Sequence, residues 1–312
     1  MKNLNPQKNL APYAVLFLVA GSLLSLEVTL TRMFSIMIWY HFAYLIIGVA
    51  LLGGGAAGTF LAVRQWDAET ISKRVAVIGL LLSLGILLIL LVINVVRFDP
   101  LDSSASVFLS LFGITSYFSV IFLVYFLGGL VIAGIFRWRP GDAHNLYFAD
   151  LLGAGISALV ILWMIQKLTG PGSMVFAAIL VLLACFALRT EKSAVPRSLL
   201  MFLLVGELAL MVFVVKNPIN LPIPRSKELG RFLTLLAVDE PDQTIWNPVA
   251  RVDVMPTFES DAPWVIGNVS SSYVPQKAWT YRLKFATLDG TSMTVLYEFD
   301  GDFAHTNFWI IR

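Results

Sequence analysis

The chain is poor in three things. It has one cysteine, Cys185, and three histidines among 312 residues, and only 13% of its residues are charged. A single cysteine excludes any intrachain disulfide. His41, His144 and His305 show no metal-ligand spacing, so neither a zinc site nor another histidine-based metal centre is expected. Soluble domains carry about 25% charged residues, nearly twice the share here. The formal charge of +2 leaves no basic excess with which to hold nucleic acid.

What is abundant is apolar sequence: 58% of residues are hydrophobic and the mean hydropathy is +0.79. Runs of about 20 apolar residues recur through the first two thirds of the chain, each long enough to cross a hydrocarbon core of about 30 Å. The pattern predicts an all-α polytopic membrane bundle of about seven spans, near 12–33, 38–63, 74–96, 107–136, 147–167, 172–189 and 196–215. The first run is long and lacks a small-residue cleavage site, which argues against a cleavable signal peptide. The fourth run is overlong and suggests an interfacial turn near Phe112-Gly113. Gly170-Pro171-Gly172 marks a sharp break between the fifth and sixth.

Basic residues set the expected orientation. Lys2 and Lys8, then Arg64, Lys73 and Arg74, then Arg137 and Arg139, then Arg189, Lys192 and Arg197 occupy alternate loops. Arg32, Arg97 and Lys167 are isolated on the other side. The N-terminus is therefore expected in the cytoplasm, and an odd number of spans would carry the polar tail to the outside.

The tail, residues 217–312, opens with Pro218, Pro222 and Pro224 as a linker. Leu229, Phe232, Leu235 and Leu236 predict a short amphipathic helix within 226–238. Beyond it the pattern alternates, at 251–254, 280–286 and 294–299. Asp289-Gly290 signals a hairpin turn between the last two. The tail is thus expected to form a small β-rich domain. A few hairpins are marginal alone, so it is expected to lean on the membrane unit, a second copy of the chain or a partner domain.

Within the spans, ionisable residues are the candidates for function, because such groups are costly in a bilayer. They are Glu27, Arg32, His41, Asp150 and Glu207. Glu27 and Arg32 are about 140° apart around a helix, so each looks for a partner on another helix. Asp150 could pair with Arg32 or Arg137, or line a polar cavity. His41 follows Trp39-Tyr40 at an expected interface. These groups suit proton or cation handling, and equally suit helix-to-helix locking. Gly54 and Gly58 form a G-x-x-x-G pair for close helix packing. Gly153-Ala154-Gly155-Ile156-Ser157-Ala158 has the spacing of a dinucleotide fingerprint but lies inside an apolar helix with no strand before it, so helix packing is the better reading. In the tail, Asp289, Asp300 and Asp302 could meet a cationic ligand or serve hairpin turns.

Several of these segments, in order, resemble the membrane-integrated spermidine synthase-like proteins. They are Glu27 with Thr31-Arg32, Trp39-Tyr40-His41-Phe42, the glycine run from Gly53, Tyr147-Phe148-Ala149-Asp150-Leu151-Leu152-Gly153, and Trp246-Asn247-Pro248 with Arg251-Val252-Asp253-Val254. The resemblance implies a bacterial inner-membrane protein whose multi-span unit precedes an aminopropyltransferase-type domain. It also implies that Leu288-Asp289-Gly290 matches the start of a hairpin lining the polyamine site, with Arg251, Asp253, Asp289 and Gly290 on the ligand side. Met293 stands where that family's hairpin has Gln, and Arg251 falls about where Gln is frequent. The Rossmann-like domain that would hold decarboxylated S-adenosylmethionine and supply the amine-activating acid finds no counterpart in these residues. The expectation is therefore a membrane-anchoring, catalytically incomplete portion, completed by a Rossmann-like domain or a partner chain. A cation or polyamine transporter, and a scaffold docking a partner through its β-rich tail, are the alternatives.

Overall fold

A computed structural model describes residues 10–64, 66–96, 99, 106–188, 195–260 and 281–298. Lys2, Lys8, Arg97, Arg189, Lys192, Asp300, Asp302 and His305 lie outside the described residues. The chain divides into two compact units. The first comprises residues 1–224 with the segment 246–249, and the second 225–245 with 250–312.

Among the described residues the first unit contains six long apolar helices, each of a length and composition that can cross a membrane. They are α1 (Ala11–Met37), α2 (Tyr40–Val63), α3 (Ala68–Val95), α4 (Val107–Trp138), α5 (Ala143–Ala187) and α6 (Arg197–Lys216), with a short 3-10 turn at Pro140–Asp142. In a bilayer a helix can cross without stranding backbone polar groups, because its hydrogen bonds are made within the segment. Helix α4 runs unbroken through Phe112-Gly113, so the interfacial turn expected there does not form. Ser106 caps its start by accepting the Leu109 N–H at 3.2 Å.

The expected fifth and sixth spans form one element, α5, that is broken in the middle. Thr169 has φ 66° and ψ 176°, a region that a β-branched residue enters at a cost of order 1–3 kcal/mol. Pro171 has no N–H to give to the preceding turn, and the Ser173 hydroxyl donates to the Thr169 carbonyl at 2.7 Å. The contacts with α1 show what the break does. A Cβ on Gly21 would lie 2.4 Å from Ser157 Oγ, on the first limb. The adjacent Ser22 donates to the Ala177 carbonyl at 2.7 Å, on the second. In a straight helix Ser157 and Ala177 would be about 30 Å apart. Both instead meet the same turn of α1, so α5 doubles back at 169–171.

Helix α1 is enclosed along its length, with buried residues recurring from Pro12 to Met37 and no residue of the helix exposed. Its seam with α5 is a close backbone approach: a Cβ on Gly153 would fall 2.1 Å from the Phe17 carbonyl oxygen. This explains the fingerprint-like Gly153-Ala154-Gly155, since Gly153 is needed for contact while Gly155 meets open space. Helices α2 and α4 approach through Gly53 and Gly129. Added Cβ atoms there would lie 2.8 Å from Tyr125 and Ala57 respectively. The packing pair is therefore Gly53 and Ala57. Gly54 contributes backbone opposite Gly129, and Gly58, expected to pack, has nothing within 4 Å of an added Cβ. A one-residue rotation around the helix separates the two readings.

The second unit is a small antiparallel sheet with one helix. Helix α7 (Glu228–Leu235) forms where the amphipathic spacing predicts it. The strands are β1 (Gln243–Trp246), β2 (Arg251–Val254), β3 (Phe258–Ser260), β4 (Tyr281–Leu288) and β5 (Ser292–Tyr297), with the last residue of β1 counted in the first unit. Strand β4 is central. β2 and β3 share one of its edges and β5 takes the other, with β1 outside β2. The Phe285 ring on β4 lies 4.2 Å from Phe232 of α7 and 4.9 Å from Phe258. The hairpin turn forms at Asp289-Gly290, both with positive φ (49° and 69°), closed by Thr291 N–H to the Leu288 carbonyl at 3.0 Å. Two such residues in sequence give the twist a tight hairpin requires.

The two glycines of the α5 motif separate packing from composition. Gly153→Ala is expected to destabilise the bundle by about 1–3 kcal/mol through overpacking, while Gly155→Ala is neutral. Detergent thermal-unfolding midpoints of the two variants measure the difference, and equal midpoints contradict the close seam.

Candidate functional site

The ionisable groups of the first unit do not converge. No group of three His, Cys, Asp or Glu is gathered among the described residues. The Glu27 side chain is half-buried, within electrostatic range of Tyr125 on α4. Asp150 is paired with neither Arg32 nor Arg137, and its buried Oδ1 has no hydrogen-bond partner among the described residues. Arg137 instead donates to the Leu61 carbonyl at 3.0 Å. His41 is exposed, stacked parallel to Trp39 at 6.2 Å and edge-on to Tyr40 at 4.1 Å, an aromatic girdle of the interfacial kind. Glu207 is buried on α6, with Oε1 2.5 Å from the Ser83 hydroxyl of α3.

Arg32 finds its partner outside the helices. Its guanidinium donates to the Val249 carbonyl. In the same unit the Trp246 ring covers Gly170, where an added Cβ would lie 2.7 Å from the ring and 2.9 Å from Met33 Cγ. The end of α1 and the break in α5 thus hold the short segment Trp246-Asn247-Pro248-Val249, which also carries one of the motifs of the family resemblance. Gly170 is required because the indole sits where a side chain would be. This clasp was not legible beforehand: an arginine at a helix end and a distant Trp-Asn-Pro carry no pairing signal.

In the second unit the tail candidates do come together, but inside it. Arg251 and Asp253 are 5% and 0% exposed. Asp253 Oδ1 accepts from Arg251 Nε at 2.9 Å, Arg251 Nη2 at 2.7 Å and the Thr244 hydroxyl at 2.7 Å. The pair is thus a buried ion pair at the heart of the sheet, not a surface presented to a ligand. Asp289 serves the turn: Oδ1 accepts the Arg251 N–H at 2.8 Å, and its own N–H returns to the Arg251 carbonyl at 2.8 Å. The Gly290 carbonyl accepts the Leu229 N–H at 3.1 Å, tying the hairpin to α7.

Lys227, just before α7, completes this cluster and was not among the expected residues. It is fully buried and its Nζ donates to the Asp289 carbonyl at 3.0 Å. Burial lowers its pKa to about 8. Nearby Asp289 opposes that shift and nearby Arg251 adds to it. Thr287 faces Asp253 across the β2–β4 pair. Its hydroxyl and Asp253 Oδ2 are buried with no hydrogen-bond partner among the described residues. Met293, in the position where the family resemblance implies Gln, is exposed on β5.

With this geometry in view, comparison with known proteins adds no relative: no family model, curated protein or solved structure matches the chain.

The buried lysine makes the second unit sensitive to pH. Its folded pKa, about 8, lies below the ordinary 10.5, so the folded state disfavours the ammonium. Its penalty is complete below about 8 and fades as pH rises towards 10.5, amounting to about 3 kcal/mol. Stability of the second unit is expected to rise across that window, and Lys227→Met to flatten the rise. Urea titrations read by proteolysis of residues 225–298 test this. In the same assay Asp253→Ala, which strands a buried guanidinium, is expected to cost about 3–5 kcal/mol.

Proposed function

We propose that this chain is the membrane-anchoring portion of a spermidine synthase-like protein, holding an aminopropyltransferase-type domain at a bilayer. The observation that supports the reading most is the clasp of Arg32 and Gly170 on residues 246–249. It joins two segments on which the resemblance rests, Thr31-Arg32 and Trp246-Asn247-Pro248. The clasped residues 246–249 belong to the first unit. The Asp289-Gly290 hairpin is consistent with the β domain that precedes the catalytic fold in such enzymes.

Aminopropyl transfer needs a neutral amine nucleophile, a base beside it and a cradle for a sulfonium donor. Arg251 and Asp253 are engaged with each other, and Arg251 and Lys227 with Asp289 of the hairpin. In this reading the cradle for decarboxylated S-adenosylmethionine and the amine-activating acid belong to a Rossmann-like domain, carried on a longer chain or a partner. Residues 1–312 by themselves are then expected to be inactive towards putrescine and the decarboxylated donor, and product formation by the purified protein contradicts that.

We further infer seven membrane crossings, because the two limbs of α5 meet one turn of α1 and each is about a membrane's thickness long. With the basic loops in the cytoplasm, as in a bacterial inner membrane, seven crossings put the N-terminus inside and the second unit outside. Reporters fused after Asn217 and at the N-terminus should then read opposite compartments; the same compartment for both sinks the count.

The anchoring itself is testable by hydrogen exchange. Arg32→Ala and Trp246→Ala are each expected to raise exchange at residues 246–252 by about tenfold, while α3 is unaffected. Unchanged protection in both variants rules out the clasp as the anchor.

A further inference from the structure

Helix α6 presents very little to the rest of the bundle. Its buried residues are Leu200, Glu207 and Val214. They are seven apart and form a single line along the helix. The middle of that line, where an apolar residue would be expected, is a carboxyl group 3% exposed. It inserts beside a stripe of small residues on α3. There Cys185 of α5 packs where a Gly79 Cβ would be, 2.7 Å away, and Ser83 lies one turn further on.

The oxygens at this junction are short of positive charge. Glu207 Oε1 is 2.5 Å from Ser83 Oγ, and Ser83 Oγ is 3.3 Å from the Ala178 carbonyl oxygen on α5. A serine hydroxyl has one hydrogen and can satisfy only one of these acceptors. Glu207 Oε2 is buried and has no hydrogen-bond partner, and no Lys, Arg or His pairs with the carboxyl among the described residues. The titratable neighbour on α5 is Cys185, whose thiol donates to the Ala76 carbonyl at 3.8 Å; α3 offers Ser83. A carboxylate left this way inside a membrane is prohibitively costly. One added cation resolves the deficit, since it neutralises the carboxylate and gives the converging oxygens a common partner.

We propose that Glu207, Ser83 and the Ala178 carbonyl form a binding site for one small monovalent cation, a proton or a sodium ion, at the junction of α3, α5 and α6. Ligand occupancy holds α6 on the bundle, because the carboxyl is the centre of that helix's only buried line. The site is independent of the anchoring role, and failure of either leaves the other standing.

Infrared spectroscopy of the full chain in lipid nanodiscs tests the site directly. A protonated-carboxyl C=O band is expected that Glu207→Gln removes and that fades as pH rises in sodium-free buffer. If sodium shares the site, adding it at fixed pH removes the same band; no effect of sodium identifies the proton as the ligand. Ser83→Ala, which keeps the carboxyl, is expected to move the midpoint about tenfold in cation concentration, the loss of one hydrogen bond to a charged group. This second variant keeps the test decisive should Glu207→Gln not fold. A Glu207 band absent at every pH, or one indifferent to both pH and sodium, overturns the proposal.

Discussion

The close seam between α1 and α5 is the constraint on which the rest of the membrane unit depends. Lipid tails give helices no hydrophobic reason to associate, so packing and interhelical hydrogen bonds must hold them. Gly21, Gly153 and Ser157 let two backbones approach to contact, and the Ser22 hydroxyl bonds across to Ala177. Because both limbs of α5 dock on one turn of α1, the break at Thr169 has to be tight. The left-handed Thr169, the missing N–H of Pro171 and the Ser173 hydroxyl on the freed carbonyl follow from that. The break in turn exposes Gly170 to Trp246, and so creates the seat on which the segment 246–249 rests.

The second unit shows a different economy. Its sheet is too small for an apolar core alone, and its interior mixes Leu229, Met255, Leu283 and Phe285 with polar groups. Arg251, Asp253, Lys227 and Thr287 are all buried there. A buried ion pair of this kind adds little net stability, but removing one member leaves the other uncompensated. It therefore specifies how β2, β4, the hairpin and α7 fit together more than it strengthens them. The hairpin turn is part of the same network, since Asp289 receives Arg251 and Lys227 as well as shaping the turn.

Much of this was legible in the residues. The apolar runs announced the helices, Gly170-Pro171-Gly172 announced the break, and Asp289-Gly290 announced the hairpin, because each is a local property of the backbone. The site readings were less secure for an equally physical reason. In Arg251-Val252-Asp253-Val254, alternation alone would turn the valines inward, whereas the structure buries Arg251 and Asp253. A charge pair two residues apart on one face of a strand can be an open site or a sealed one, and only the covering elements tell which. Likewise Gly53 and Gly58 are equally plausible packing glycines until the rotation of α2 against α4 is known.

The sequence by itself determined that the chain is a bundle of membrane helices followed by a small β-rich unit. Hydrophobic length, periodicity and turn chemistry act over a few residues and need no partner. Only the tertiary structure decided which polar groups are satisfied and by whom: Arg32 by Val249, Asp253 by Arg251 and Thr244, and Glu207 by Ser83 with one oxygen left over. Those pairings join residues up to 217 positions apart. They depend on helix rotation and chain reversal, which a one-dimensional pattern does not carry.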